Sequence, residues 1–346
     1  MVNYWNAVVQ NDCERLVSMS LPWEELNGKN VLVTGATGMI ASYLVWLLLY
    51  LQEKNVTIKL IALCRNGRKA SRLFPRTRNN FNIVIQDVCA PLLISEDIDI
   101  IFHFAGNASP YYIKSDPVGI MKANLLGTFN VMELALKKSA KVVFASTREV
   151  YGRNDNVSLL AEHDFGVLDA MDDRSCYPES KRAAESLLKS YKLQYAVDFV
   201  SVRIAHCYGP SMQLNNDGRI MADILANAVV GKDIELTSSG EAERAFIYIT
   251  DVISGLFSIL FRKTKEVYNL SNEDEPISIK ELARIIAQKK GGIQVKYVNS
   301  HNYDNAYCSY KRVGLDTVEL RKLGWKPQVS LSEGINRVWV ALHQFD

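Results

Sequence analysis

The chain has 346 residues, 48% of them hydrophobic and 23% charged, which is enough for one large α/β domain with a smaller lobe. Its 40 basic and 38 acidic side chains leave a net charge of +2, so charge gives no reason to expect binding to nucleic acid or to an anionic membrane. The longest apolar run, residues 40–52, is too short to span a bilayer. With no cleavable signal recognisable, we predict a cytoplasmic protein.

The cysteines are scattered, without a CxxC pair and without a histidine cluster nearby. This spacing argues against a zinc site and against a disulfide framework, so we expect reduced thiols and no metal. The six residues are Cys13, Cys64, Cys89, Cys176, Cys207 and Cys308.

Residues 1–27 form an N-terminal extension that begins with a short amphipathic helix. We predict that Leu21 and Trp23 pack on the domain edge and that the helix serves a dimer or partner contact. From residue 28 onward, short apolar runs alternate with longer helical patterns, as in βαβ units. Predicted strands span 30–35, 57–64, 82–87, 98–106, 141–147 and 198–204, and predicted helices span 38–53, 117–138 and 177–194.

Near-continuous apolar strands are typical of a parallel sheet that is covered on both faces. The fold class is therefore α/β, and we predict a doubly wound parallel Rossmann sheet over residues 28–210, to which 246–262 return. After residue 210 the pattern changes to polar segments, short strands and helices. We predict that 211–245 and 263–346 form a smaller C-terminal α/β lobe that binds the substrate.

The first predicted strand runs directly into GATGMIA (35–41) and a helix. Two glycines there permit a tight turn and a close backbone approach, so a pyrophosphate can lie at the helix N-terminus. Ala41 occupies the third glycine position, which the dinucleotide fingerprint tolerates. The predicted cofactor contacts in this turn are Gly35, Thr37, Gly38, Met39 and Ile40.

In NAD-binding sheets an acidic residue after the second strand binds the ribose hydroxyls. Here that strand is followed by Arg65, Arg68 and Lys69. These cations would receive the 2′-phosphate of NADP, or they would form a solvated basic loop. Asp87, at the end of the third strand, is placed to contact the adenine or to cap a loop. The predicted cofactor is NAD, with NADP left open.

Tyr177 and Lys181 are four residues apart, which places both on one face of a helix. A free tyrosine has a pKa of about 10, and a neighbouring ammonium with an oxidised nicotinamide ring would stabilise its phenolate. The strand 141–147 delivers Thr147 and Glu149 to the carboxyl edge of the sheet, where ligands bind. Thr147 is a candidate partner for the substrate hydroxyl that Tyr177 deprotonates, and Glu149 is a candidate second acid or base.

Seven motifs occur in order along the chain: TGATGMIA, HFAG, NLLGTFNVMELA, STREVYG, YPESK, VRIAHCYGP and RAFIYITDV. Together they resemble the extended short-chain dehydrogenase/reductase superfamily, specifically its NAD-dependent nucleotide-sugar epimerases, dehydratases and decarboxylases. The resemblance covers roughly residues 28–335. Within it, the stretches 108–128, 174–186 and 215–225 are most similar to UDP-glucuronate decarboxylases.

The resemblance implies a tightly held NAD and a nucleotide-sugar substrate that passes through a transient 4-keto intermediate. A C5 carboxylate beside that ketone is lost easily, so UDP-glucuronate-type decarboxylation or C4 epimerisation is expected. The alternatives are a net NADP(H)-dependent reductase or dehydrogenase of a nucleotide sugar, and a non-catalytic dinucleotide-binding regulatory protein. A homodimer through the helices 117–138 and 177–194 is also implied.

The resemblance also implies roles for individual residues. Asn124 would support the active-site helix, and Arg244 would hold the diphosphate. His206 replaces the usual asparagine after the family arginine, Arg203, so it either binds the nucleotide or is a buried core histidine. The expected cofactor contacts also include Arg65, Asp87, Val88, Ala105, Tyr177 and Lys181. The expected substrate contacts are Asn124, Arg148, His206, Arg219 and Arg244.

Arg148 departs from the family pattern. Dehydratases of the 4,6 type carry an aspartate there, and decarboxylases carry a small polar residue. A guanidinium does not donate a proton near neutral pH, so Arg148 excludes the standard 4,6-dehydratase chemistry. It either binds an anionic group of the substrate through a bidentate contact, or points outward and pairs with an acid from 162–173, where Glu162, Asp164, Asp172 and Asp173 lie.

Overall fold

The computed structural model describes residues 2–75, 79–154, 157–215, 217–298 and 313–343. The strands are β1 (Lys29–Thr34), β2 (Ile58–Cys64), β3 (Phe81–Ile85), β4 (Ile100–His103), β5 (Lys141–Thr147), β6 (Leu159–Leu160), β7 (Phe199–Ile204), β8 (Cys207–Tyr208), β9 (Ile234–Leu236), β10 (Glu243–Ala245), β11 (Ile247–Tyr248), β12 (Val267–Leu270), β13 (Pro276–Ser278), β14 (Val295–Tyr297) and β15 (Gly314–Leu315). The α-helices are α1 (Ala7–Val17), α2 (Met39–Glu53), α3 (Gly67–Leu73), α4 (Pro110–Ser115), α5 (Pro117–Lys138), α6 (Cys176–Tyr195), α7 (Ile220–Val229), α8 (Ile249–Arg262), α9 (Ile279–Lys290), α10 (Val318–Arg321) and α11 (Leu331–His343). Two 3₁₀ helices span Trp23–Leu26 and Arg148–Tyr151.

Seven strands form one parallel sheet in the order β12–β7–β5–β4–β1–β2–β3. The chain starts at β1, builds β2 and β3 on one side, and then crosses back to β4 on the other. In such sheets ligands bind outside the carboxyl ends of the strands at this reversal. The predicted doubly wound α/β fold is confirmed, although β4 ends at His103 instead of continuing to residue 106.

Apolar residues on both faces of the sheet build two cores. Val31 and Val33 belong to one core and Leu32 to the other, as the alternation along a strand requires. Helices α2 and α8 cover the first core, and α5 and α6 cover the second. Burial on both sides is why the strands read as nearly continuous apolar runs.

Helix α2 is apolar all round because it is buried all round, with every residue from Ala41 to Leu51 buried. Helices α1 and α8 pack against it. The carboxylate of Asp12 in α1 accepts hydrogen bonds from the hydroxyls of Tyr43 and Tyr248, both at 2.7 Å. The N-terminal extension therefore covers the chain's own core. Its use in a dimer or partner contact stays a prediction.

The predicted boundary of the smaller lobe needs a correction. The predicted lobe range 263–346 includes β12, which pairs with β7 and forms an edge strand of the main sheet. Helix α10 packs on α8 and β12, and α11 packs on α1 and β11. Within the described ranges, no helix is long and apolar enough to cross a membrane.

Candidate active site

The turn between β1 and α2 forms the floor of the predicted cofactor site. Gly35 has a φ of +64°, and a Cβ on it would lie 2.7 Å from the Cα of Ala105. Gly38 is exposed and caps α2 without a side-chain hydrogen bond, and no residue of the first turn is acidic. The first N–H groups of this 15-residue helix are thus available to an anion, which fits the pyrophosphate of a dinucleotide.

The remaining predicted cofactor contacts surround this turn. Thr37, Met39 and Ile40 are partly buried, and the Ser211 hydroxyl donates to the carbonyl of Met39 at 3.1 Å. Ser211 follows the YGP motif, so this bond ties the start of α2 to the loop that enters the smaller lobe. Sequence reasoning missed it because a single serine in a polar segment carries no signal.

Two further predicted contacts, Val88 and Ala105, are buried beside the turn. A Cβ on Gly127 of α5 would lie 2.8 Å from the side chain of Val88, so the glycine allows α5 to approach the loop after β3. Asn130 donates to the carbonyl of Val88 at 2.9 Å and fixes the same loop. The structure therefore brings these predicted positions to the carboxyl edge of the sheet.

Arg65 and Asp87 stand at the carboxyl ends of β2 and β3. The Nη1 of Arg65 lies 3.7 Å from Oδ2 of Asp87, and the backbone N–H of Cys89 donates to Oδ1 of Asp87 at 2.9 Å. That backbone bond and the Arg65 charge hold the pKa of Asp87 below its usual value against the effect of burial. Asp87 is thus an anion whose hydrogen bond from Cys89 shapes the loop after β3.

A buried histidine connects β1, β4 and α5. Nδ1 of His103 lies 2.8 Å from the Thr34 hydroxyl, and its Nε2 lies 3.1 Å from the Thr128 hydroxyl. The Thr128 hydroxyl donates to the carbonyl of Asn124, and Thr34 accepts from the N–H of Ala105. These bonds assign the proton of His103 to Nε2. Burial lowers the pKa of His103 to about 3, so the ring is neutral.

The Tyr177–Lys181 pair lies where the spacing predicted, on the buried face of α6. Burial raises the pKa of Tyr177 well above its usual value, and the negative charge of Glu149 raises it further. The Thr147 side chain at the end of β5 and the Arg219 charge lower this pKa. The surroundings of Tyr177 in the folded protein therefore favour the protonated phenol.

Lys181 is buried beneath the strand end. Its Nζ donates to the carbonyl of Ala145 at 2.8 Å and lies 4.5 Å from the centre of the Phe144 ring. Burial lowers the pKa of Lys181 to about 7, although the carboxylate of Glu185 one turn further raises it. The Lys181 ammonium is thus held at a fixed place by β5, one helical turn from Tyr177.

Glu149 follows in the 3₁₀ helix after β5. The Thr147 hydroxyl accepts from the Glu149 N–H at 3.2 Å, which shapes this turn. Its carboxylate is partly exposed and lies 3.7 Å from Nη2 of Arg174. Arg174 lies just before the YPESK motif, and sequence reasoning did not identify it as a partner. The ion pair leaves Glu149 near Tyr177 as a candidate acid or base.

Asn124 is fully buried between α5 and α6. Its Nδ2 donates to the Ser180 hydroxyl at 2.9 Å, and Ser180 in turn donates to the carbonyl of Cys176. A Cβ on Gly106 would lie 2.5 Å from Oδ1 of Asn124. Asn124 has no exposed surface, and its hydrogen bond to Ser180 joins α5 to α6. Its predicted contact with the substrate stays a prediction.

Arg148 and Arg244 both lie near enough to His206 for their charges to act on its ring. Burial lowers the pKa of His206 well below its usual value, and the charges of Arg148 and Arg244 lower it further. Arg148 is only 7% exposed, so its side chain is not directed into solvent. The predicted pairing with an acid from 162–173 stays a prediction, as does the contact with the substrate.

His206 adopts a φ of +43° and packs its ring against Phe246 at 5.9 Å. Nucleotide binding and a core role for His206 both stay predictions.

Two other arginines are engaged by carboxylates. Arg219 makes a bidentate pair with Asp217 at 2.5 and 2.7 Å, and its charge acts on Tyr177. Arg203 makes a bidentate pair with Glu185 of α6 at 3.1 and 2.7 Å and lies over the Tyr151 ring. Arg203 thus braces the helix that carries Tyr177, while Arg219 stands beside it.

Five cysteines are free thiols: Cys13, Cys64, Cys89, Cys176 and Cys207. Cys308 lies outside the described residues. Among the residues that the structure describes, no group of three or more histidine, cysteine or acidic side chains could hold a metal ion.

Residues 31–271 match the model of the NAD dependent epimerase/dehydratase family. UDP-glucuronic acid decarboxylase 1 of Xenopus tropicalis is 32% identical over 322 residues, which cover 93% of this chain and 73% of that protein. UDP-glucuronic acid decarboxylase 6 of Arabidopsis thaliana is 31% identical over 316 residues, which cover 88% of this chain and 86% of that protein.

Solved structures share the fold. The UDP-glucose 4-epimerase of Thermotoga maritima with UDP-glucose superimposes with a TM-score of 0.79 at 22% identity, over 92% of this chain and all of that one. The dTDP-glucose 4,6-dehydratase of Bacillus anthracis in complex with NAD superimposes with a TM-score of 0.74 at 21% identity, over 92% of this chain and 98% of that one. The chain thus belongs to the NAD-dependent epimerase/dehydratase family of extended short-chain dehydrogenases, and its cofactor is NAD.

Proposed function

We propose that this enzyme decarboxylates a nucleotide-activated uronic acid of the UDP-glucuronate type. The observation that carries the proposal is the buried cation Arg148, which directly follows Thr147 at the start of the 3₁₀ helix after β5. A buried guanidinium at that place suits a sugar that carries its own carboxylate. The relatives that are 30–32% identical are named UDP-glucuronic acid decarboxylases, which supports the same substrate class.

The proposed reaction starts at the sugar 4-hydroxyl. Tyr177 removes its proton, Thr147 holds the hydroxyl oxygen, and the ammonium of Lys181 favours the phenolate form of Tyr177. NAD held at the β1–α2 turn by Gly35 and Gly38 would supply the hydride acceptor for C4 and the hydride donor for the final reduction. Since Arg203 and Asn124 fix α6, Tyr177 and Lys181 keep their places through both transfers.

The resulting 4-ketone makes the C5 carboxylate part of a β-keto acid. The C5–carboxylate bond breaks, carbon dioxide leaves, and the bonding electrons form an enolate with the C4 oxygen. C5 then takes up a proton, for which Glu149 is the candidate donor. The reaction is redox-neutral overall, because the hydride removed from C4 goes back to C4.

The substrate's charges suggest roles for the other arginines. We assign the diphosphate to Arg244 and the sugar carboxylate to Arg148, with neutral His206 between them as a hydrogen-bonding group. Arg219 keeps its Asp217 partner, and we assign it to the sugar because its charge acts on Tyr177. A homodimer through α5 and α6 is also proposed, because exposed apolar side chains such as Val118, Leu126 and Phe129 lie on α5.

The test is an incubation of the enzyme with UDP-glucuronate, UDP-glucose, dTDP-glucose and GDP-mannose, followed by mass spectrometry. Loss of carbon dioxide from UDP-glucuronate supports the proposal. Loss of water, a changed C4 configuration at constant mass, or a net change of two hydrogens would each assign another reaction.

Two variants sharpen the assay. Tyr177→Phe should abolish turnover while the protein still binds NAD. Arg148→Gln should raise the KM for UDP-glucuronate by about 10- to 100-fold, since charge-assisted hydrogen bonds are worth about 1.5–3 kcal/mol each. Arg148→Gln should leave the affinity for UDP, which lacks the sugar carboxylate, within about threefold. An equal loss for both ligands would contradict the role of Arg148.

A further inference from the structure

The ribose end of the cofactor site has an unusual charge for an NAD enzyme. Cys64 ends β2 and pairs with Ile85 of β3 in register, which places it at the carboxyl edge next to the β1–α2 turn. In this fold the ribose of the adenosine lies at that edge, and NAD-specific enzymes carry a carboxylate there. That carboxylate binds the 2′-hydroxyl and repels a 2′-phosphate.

In this chain the position is uncharged. Burial raises the pKa of the Cys64 thiol, so a neutral sulfur stands at the end of β2. The next residue is Arg65, and Lys69 in α3 is close enough to Cys64 for each to affect the pKa of the other. A 2′-phosphate would therefore meet two cations where a carboxylate usually repels it.

Arg65 is placed to turn towards a ligand. Its side chain is 73% exposed, and its 3.7 Å contact with Asp87 is an ion pair without a close hydrogen bond. Exposed pairs of this kind contribute about 0–1 kcal/mol, so little opposes their separation. Asp87 would keep the bond from the Cys89 N–H at 2.9 Å when Arg65 moves. The planar guanidinium then offers two parallel N–H donors to a phosphate.

We propose that this site binds NADP as well as NAD, and that Arg65 is the residue that admits the 2′-phosphate. The inference goes beyond the proposed decarboxylation and does not depend on it, because it concerns only the adenosine end of the cofactor.

The test is direct binding. The full chain is incubated with equal concentrations of NAD⁺ and NADP⁺, and native mass spectrometry resolves the two complexes by the mass of the extra phosphate. Isothermal titration then gives the Kd for each nucleotide. The wild type is expected to bind NADP⁺ within about tenfold of its affinity for NAD⁺.

Arg65→Gln should lower the affinity for NADP⁺ by about 10- to 100-fold, the range expected for lost charge-assisted hydrogen bonds. It should leave the affinity for NAD⁺ within about threefold. Arg65→Glu should lower the affinity for NADP⁺ further, because its carboxylate repels the 2′-phosphate. Because Arg65 is exposed, neither change threatens the fold. Arg72→Ala, a change at an exposed arginine in the last turn of α3, is the matched control and should alter neither affinity.

Three results would overturn the proposal or part of it. Absence of NADP⁺ binding in the wild type would contradict it outright. Equal weakening of both nucleotides by Arg65→Gln would mean that Arg65 contacts a part that both share, such as the adenine. Failure to bind either nucleotide would instead contradict the cofactor assignment and with it the proposed decarboxylation, whereas the first two results leave the decarboxylation untouched.

Discussion

The ammonium of Lys181 donates a 2.8 Å hydrogen bond to the backbone carbonyl of Ala145. The bond joins the active-site helix α6 to β5, two residues before Thr147. It sets the position of both predicted catalytic side chains of α6 relative to the strand that carries Thr147. This hydrogen bond between β5 and α6 thus holds the two halves of the candidate site together.

Lys181→Met should separate the roles of Lys181 in folding and in catalysis. The pKa of Lys181 is lowered from 10.5 to about 7 by burial, so the unfolded chain binds more protons between these values. The wild-type free energy of unfolding should therefore rise as the pH increases from about 7 to about 9. In Lys181→Met this rise should shrink while turnover falls by about 10²- to 10⁴-fold. Urea unfolding at both pH values checks the first effect, and an unchanged slope would contradict the buried position.

Substitution by alanine should affect stability at Gly35 but mainly cofactor binding at Gly38. Gly35→Ala forces a Cβ to within 2.7 Å of the Ala105 backbone at a φ of +64°, so it should destabilise the protein even without cofactor. Gly38→Ala meets only the Gly35 carbonyl at 3.2 Å and should leave the melting temperature nearly unchanged while weakening NAD binding. Differential scanning fluorimetry with and without NAD separates the two. A large loss of stability in Gly38→Ala would show that the turn tolerates no side chain at either place.

His103 should make the protein acid-sensitive. Its folded-state pKa of about 3 lies below its ordinary value of 6.5, so its contribution to stability is complete above about pH 6.5 and is lost as the pH falls towards 3. His103→Gln keeps a donor for Thr128 but does not titrate, so it should lose less stability over this range. Unfolding curves at about pH 7 and pH 4.5 measure the difference. Equal losses of unfolding free energy in the wild type and in the variant would show that other groups cause the acid sensitivity.

Asp12 should be a main anchor of the N-terminal helix. Its carboxylate accepts from Tyr43 and Tyr248 and pairs with Nη1 of Arg337 at 2.7 Å. Asp12→Ala leaves the buried hydroxyls of Tyr43 and Tyr248 without their acceptor, while Arg337 keeps Glu333, so it should cost about 2–4 kcal/mol of unfolding free energy. Glu14→Ala, an exposed change in the same helix, should stay within about 0.5 kcal/mol. Equal effects in the two variants would show that Asp12 is no anchor.

Several features followed from the sequence alone because they depend on local periodicity. The βαβ alternation, the turn at Gly35 and the i, i+4 pair of Tyr177 and Lys181 are each contained in one short segment. Their local geometry is set by glycine conformations and by the 3.6-residue turn of a helix. The doubly wound fold and the family could therefore be predicted.

Only the tertiary structure decided which distant residues meet. Three features join segments that are far apart in the chain: the inward position of Arg148, the pairing of Glu149 with Arg174 and the return of β12 to the main sheet. Such contacts depend on how the elements pack and on which charges are removed from water, and no spacing pattern encodes them. The sequence by itself determined the fold and the Tyr177–Lys181 pair, and tertiary packing decided the charges around them.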